Sequence, residues 1–255
     1  TENSFLGSGA GASNTTGLSN SFFGARAGQA TNGGQRNSFF GASAGVGNTT
    51  GNGNSFFGAG AGRDNQTGWN NAFFGSLAGA SNTSGGSNAF FGVDAGFSNN
   101  AGNFNTFVGY RGGFNTTEGE FNSSFGANAG AANLAGSSNT FLGYDAGRNN
   151  GQGSNNLFVG ASAGTSNSIE SNNTFIGVLS NGEEGITNAT QARLGKQTVF
   201  EFDFLKGDTD TDNGIVRTHA NRVFEAALNV SHSIDILDLK IGDEVSQINR
   251  LVETG

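Results

Sequence analysis

An asparagine recurs every 17 residues, at 3, 20, 37, 54, 71, 88, 105, 122, 139, 156 and 173, and a glycine always follows four places later, from Gly7 to Gly177. Eleven copies run head to tail without a gap. The third place is Phe in ten copies, Ser124 being the departure, and the fourth is always Phe, Leu, Val or Ile. The eighth is almost always Ala and the ninth almost always Gly, until Ser180 and Asn181 break the pair in the last copy. A strict period of this length specifies a solenoid, in which each copy is one coil stacked on the one before.

The letters of one copy, NSFFGASAGVGNTTGNG over residues 37–53, describe the coil. NSFFG is a short extended run with an aromatic pair, bounded by glycine, and predicts a strand of about five residues. The second half is Asn, Thr and Gly, which supply tight-turn and left-handed conformations. Each copy therefore reads as strand, Ala-Gly corner, a second short strand or turn, and return. Stacked at about 4.8 Å per coil, the array predicts a rod of roughly 50 Å, with aligned asparagines hydrogen-bonded in amide ladders. The polar repeat residues are thus expected to be structural.

The chain contains 45 glycines and no proline, cysteine or methionine, far from ordinary globular usage. Glycine without a Gly-X-Y period excludes collagen, and 24 phenylalanines held in register argue against disorder. The lack of cysteine removes disulfides and thiol chemistry. A net charge of −8 with only 12 basic residues argues against nucleic acid and anionic membrane surfaces as partners. No apolar run approaches a membrane span, so no membrane insertion is expected of this segment. A start at Thr1, inside a repeat, suggests a fragment of a longer protein.

Neighbouring strand residues point to opposite faces, so the two rings of each copy cannot both enter one interior. One row must face something else, and a stripe of stacked phenylalanines demands a partner. We expect the third-position row, Phe22, Phe39, Phe56, Phe73 and Phe90, to meet the same row of identical chains in a homotrimer. Variation between copies concentrates at the sixth, seventh, tenth and last places, which are expected to face outward. With Trp69 of the sixteenth place, Phe97, Phe104, Tyr110, Arg111, Phe114 and Phe121 form an aromatic cluster that other copies lack, either padding contacts between coils or subunits or forming a ligand surface.

The array fades in SNGEEGITNATQARLG, and ordinary composition follows. We divide the chain into a β-solenoid over 1–190, a β connector or neck over 191–220 and a helical segment over 221–255. QTVFEFDFL at 197–205 alternates as a half-buried strand. Asp208, Asp210 and Asp212 mimic the opening of a calcium loop, but Asn213 and His219 stand where its glycine and glutamate belong, so a solvated acidic turn competes with a metal site. Ile234, Asp238, Ile241, Val245, Ile248 and Val252 are spaced by fours and threes, the seam of a coiled coil; an amphipathic helix packed on its own chain is the alternative.

The motif N-[STA]-F-[FLVI]-G-x-x-A-G resembles the coils of trimeric autotransporter adhesin heads, and more closely the repeat arrays of bacterial and phage tail-fibre-like proteins. ITNATQARLG at 186–195 resembles the last coil of such a head, and the Asp-Thr-Asp of 210–212 its neck. The resemblance implies left-handed parallel β-roll coils in a homotrimer, a neck and a coiled-coil stalk. It also implies a place outside the cell or on its surface, or in a virion tail, and adhesion to a host-cell, prey-cell or glycan receptor. The chain departs from the adhesin heads in its longer period and its second aromatic.

Catalysis finds little support. His219 and His232 stand near no nucleophile motif, and Asp94 and Asp145 lie three coils apart, beyond the spacing of a glycosidase pair. No cofactor is implied, and the chain reads as a non-enzyme. A rigid fibre segment displaying weak sites multivalently is the leading expectation. Phage or injection-system fibres share that architecture, and an ice-binding solenoid would use the ranks of Thr15, Thr16, Thr49, Thr50, Thr67 and Thr83, interrupted by Gly33, Ala101 and Ala135.

Overall fold

The computed structural model describes residues 2–179 and one further strand, Ala192–Leu194. Twelve strands, β1 (Ser4–Leu6) through β12 (Ala192–Leu194), form a single parallel sheet in sequence order. Successive strands pair without slippage, Ser38 opposite Ser55 and Phe39 opposite Phe56, so like residues stack coil on coil. The last step, from Thr174 of β11 (Thr174–Ile176) to Ala192, carries the sheet past residue 190. The described residues contain no helix. Asp208, Asp210, Asp212, the seam Ile234, Ile241, Val245, Ile248 and Val252, and the helical segment lie outside the described residues, as does the connector apart from β12.

Each strand spans three residues, shorter than the five expected, because both ends leave the ladder. The Asn37 N–H donates to the Asn20 side chain at 3.0 Å instead of to a neighbouring carbonyl. At the other end Gly41 turns the chain with φ 143°, and a Cβ there would lie 2.5 Å from the Gly58 oxygen of the next coil. That close approach is why the fifth place admits only glycine. No second strand follows. The rest of the coil is made of turns such as Ala44 N–H to Gly41 O at 3.2 Å and Asn48 N–H to Gly45 O at 3.0 Å. Their remaining amides bond between coils, as in Gly45 N–H to Ala61 O at 2.9 Å.

Four columns fill the interior. Phe22, Phe39, Phe56, Phe73, Phe90 and Phe107 stack with centroids 4.7–4.9 Å apart, backed by Ala27, Ala44, Ala61, Ala78 and Ala95. The expectation that Phe22, Phe39, Phe56, Phe73 and Phe90 form the contact between chains is therefore corrected: each is fully buried in its own chain. The two rings do take opposite faces, but the third-position ring is the inward one. Gly45 shows why. With φ 56°, it presents bare backbone to the Phe39 ring, whose Cε2 lies 2.5 Å from where a Cβ would stand. The ninth-place glycine thus makes the seat for the third-place ring.

The other two interior columns are polar. The Asn37 side chain donates to Gly51 O at 2.8 Å, closing its own coil, and its Oδ1 accepts the Asn54 N–H at 2.9 Å. The repeating asparagines therefore bond mainly to backbone, which needs one donor and one acceptor on a short arm. The expected amide ladder lies instead in the twelfth place, where Asn65 donates to Asn48, Asn82 to Asn65 and Asn99 to Asn82, each at 2.7 Å. Thr116 breaks that ladder, leaving Asn99 Oδ1 and its own buried hydroxyl without a hydrogen-bond partner. In β8 (Ser123–Phe125) Ser124 likewise interrupts the rings, splitting the apolar interior into one cluster up to Phe107 and another from Ala129 to Phe175.

Candidate functional site

The outward side of the sheet carries the fourth-place row. Phe23, Phe40, Phe57, Phe74 and Phe91 stack at 4.7–5.0 Å, and the column continues with Val108, Phe125 and Leu142. Its members are half-buried or exposed, reaching 40% at Phe91 and 48% at Leu142. The result is an unbroken apolar stripe, one side chain wide, along the described array.

The surface aromatics separate into two groups. Phe97 stacks on Phe114 at 5.2 Å, and the Arg111 guanidinium lies 4.8 Å from the Phe114 centroid and 5.3 Å from that of Tyr110. Arg111 also reaches Asp94 at 3.6 Å, so this group joins neighbouring coils through rings and one ion pair. The second group forms on the turn ahead of the strand. The Trp69 indole lies across Gly86 of the next coil and meets Phe104 edge-on at 6.3 Å, and Phe104 stacks on Phe121 at 5.2 Å. Among the described residues no ring contact links the two groups, so the predicted surface aromatics divide between them. Phe121 joins the second group as its outermost ring.

The second group includes two rings on left-handed backbone, a conformation that Leu77 and Leu179 also take. Eighteen non-glycine residues among those described have positive φ, recurring at the seventh and last places of the coil. Serine, asparagine and aspartate account for most of them, as expected where a left-handed conformation costs about 1–2 kcal/mol. Phe104 and Phe121 take the same conformation at φ 57° while remaining 49% and 55% exposed. On earlier coils of the same turn, Gln35, Arg36, Asn52, Gly53 and Asn70 line a polar notch of about 230 Å³. Gly53 contributes no side chain to it, and Asn70 Oδ1 lies where a Cβ on Gly53 would stand.

Charged groups elsewhere are locally engaged. Asp145 pairs with Arg148 at 3.4 Å and accepts from Asn128 at 2.9 Å. Hydrogen bonding to Asp64, at 2.7 Å, raises the pKa of Arg63 against the opposing effect of burial. Among the described residues no three His, Asp or Glu side chains group as metal ligands would. Three of the predicted threonines bond to the next coil: Thr49 donates to Gln66 O at 3.0 Å, Thr83 to Asn100 O at 3.2 Å, and Thr15 bonds Asn32.

Fold and surface define a parallel β-solenoid repeat protein with an apolar outer stripe and a local aromatic patch. No family model, curated protein or solved structure matches this chain.

Proposed function

We propose that this chain is a segment of a rigid extracellular fibre, assembled as a homotrimer and acting in adhesion to a surface receptor. The observation that carries the reading is the fourth-place stripe. Rings stacked in register along the sheet face would leave a long apolar column in water, and such a column is relieved when copies of the same chain turn it toward a common axis. A threefold arrangement supplies three identical outer surfaces, and multivalency then allows weak single sites to hold a cell. The same architecture serves a phage or injection-system tail fibre.

The test is the mass of the full chain in solution by light scattering. A trimer is expected at micromolar concentration, and a monomer there would refute the assembly. The paired change Phe57→Asp and Phe74→Asp places two charges in the stripe without touching the chain's own interior. It should yield monomers that keep their circular dichroism and lose adhesion of protein-coated beads to cells. A variant that remains trimeric would show that a different surface holds the fibre together.

A further inference from the structure

We propose that the turn ahead of the strand, from Arg36 to Phe121, binds an extended oligosaccharide, with an acidic sugar in the notch at Arg36 and neutral sugars on the rings. This rests on the adhesion reading and names the ligand class for it.

Three departures from local rules coincide there. In five of the ten described coils the sixteenth place carries a short polar side chain that accepts the backbone N–H of the same place one coil earlier. Asn52 does so for Gln35 and Asn103 for Gly86, both at 2.8 Å, and Ser137 and Ser154 for Glu120 and Ser137, both at 3.0 Å. Trp69 gives up that acceptor and stands 42% exposed across the bare backbone of Gly86. Phe104 and Phe121 add a left-handed backbone, which aromatic residues resist and for which no interior packing compensates. The coil imposes this backbone at its last place, which elsewhere is filled by Gly53, by Arg36 and by residues such as Ser19, Asn70, Asn155 and Asn172. Clustered breaches of this kind, on a surface and not in the core, mark a functional site.

The chemistry selects a sugar. A pyranose presents a C–H face to an aromatic ring and a rim of hydroxyls to planar amides, and both are provided. Trp69 lies one coil after Asn52 and next to Asn70 in the chain, and Glu120, which accepts from Asn103 at 2.7 Å, precedes Phe121. Arg36, like Arg26, has no carboxylate partner among the described residues, and so brings an uncompensated cation to the notch. A bidentate guanidinium site of this kind suits a carboxylate. From Arg36 to Phe121 is five coil steps of 4.8 Å, about 24 Å, the reach of a short oligosaccharide and not of a single sugar. A sister chain is the less suitable occupant. Contact between parallel copies about an axis would run the length of the array, as the fourth-place stripe does, whereas these rings stop after Phe121 and the column returns to Ser138.

Trp69 is the only tryptophan, so its emission in the full-length protein reports this surface alone. Titration with sialyllacto-N-tetraose, which has one carboxylated sugar at the end of a neutral chain, should change that emission saturably. Phe104→Asn, which installs a residue type that tolerates the same φ, should weaken binding roughly tenfold through loss of one ring contact. Arg36→Gln should weaken the sialylated probe and leave uncharged lacto-N-tetraose unaffected. Emission that stays constant to millimolar concentrations of both probes overturns the proposal, as does binding that neither variant alters. Emission that follows protein concentration alone assigns the surface to a sister chain. Bead adhesion separates this inference from the reading beneath it: adhesion that persists in Phe104→Asn refutes the site and leaves the adhesive role standing. Wild-type beads that do not adhere, with saccharide binding intact, refute that role and leave the site standing.

Discussion

Replacing Ser124 by phenylalanine should stabilise the array, since it restores the single missing ring of the interior column. At present Ser124 is fully buried and its hydroxyl has no hydrogen-bond partner, a state that costs about 1–3 kcal/mol in itself. The neighbouring ring has already moved toward the gap. Phe141 is tilted 20° against Phe158, whereas the rings from Phe22 to Phe107 lie within 3–7° of one another, and its Cδ2 approaches the seat above Gly130 that a ring at 124 would occupy. Truncating a buried phenylalanine costs about 3–5 kcal/mol, and the reverse change recovers less, because Phe141 must return to its place. A gain of about 3 kcal/mol is expected at the seam between the two halves of the core. Because coils unfold with their neighbours and not all at once, native-state hydrogen exchange is the suitable assay. Amides of β8 and the coils beside it should exchange over a hundredfold more slowly in Ser124→Phe, while those near Phe39 stay unchanged. Equal or faster exchange in the variant would show that the gap has closed around serine and that a ring there overpacks it.

Three further changes probe the other columns. Thr116→Asn should join the two amide ladders by giving Asn99 Oδ1 a donor, raising local stability by about 1–3 kcal/mol in the same exchange measurement. Gly45→Ala forces a side chain into φ 56° and against the Phe39 ring, and should lower the urea midpoint by an amount equivalent to about 3 kcal/mol or more. Burial opposes the charge of Glu170, but amide hydrogen bonds from Ser168 at 2.9 Å and Ile169 at 3.1 Å outweigh it and hold its pKa below the ordinary value. A folded-state pKa below the unfolded one gives stability that is present above the ordinary glutamate value of about 4.3 and lost as pH falls through the folded value. Measured as protection relative to the intrinsic exchange rate, which itself falls with pH, the coil that begins at Asn156 should lose protection on acidification, and Glu170→Gln should remove that loss.

Much of this arrangement is visible in the letters, because a solenoid writes its geometry once per coil. The period fixes the register, and the paired bulky residues require opposite faces, as Phe39 and Phe40 take them. Alternation cannot say which face is the inside, since that depends on where the remaining fourteen residues of the coil return. The clue is uniformity within the chain: the third place is almost invariant, while the fourth accepts Phe, Leu, Val and Ile. An interior of stacked rings tolerates one shape, and a stripe on the outside tolerates several. The twelfth-place ladder is hidden for a related reason. Asn48 and Thr49 both read as turn formers, and only the closed coil shows that the first is buried and the second half-exposed.

The exceptions follow the same logic from the other side. Gly112 in place of alanine, Thr116 in place of asparagine and Ser124 in place of phenylalanine interrupt three of the four interior columns within two consecutive coils. Each removes contacts that repeat elsewhere, and together they thin the stack where Arg111, Phe114 and Phe121 crowd its surface. Interior uniformity supports stacking, and a surface able to recognise anything must be non-uniform. A one-dimensional array has few residues per coil in which to meet both demands, and the seventh and eighth coils are where the interior departs furthest from its repeat.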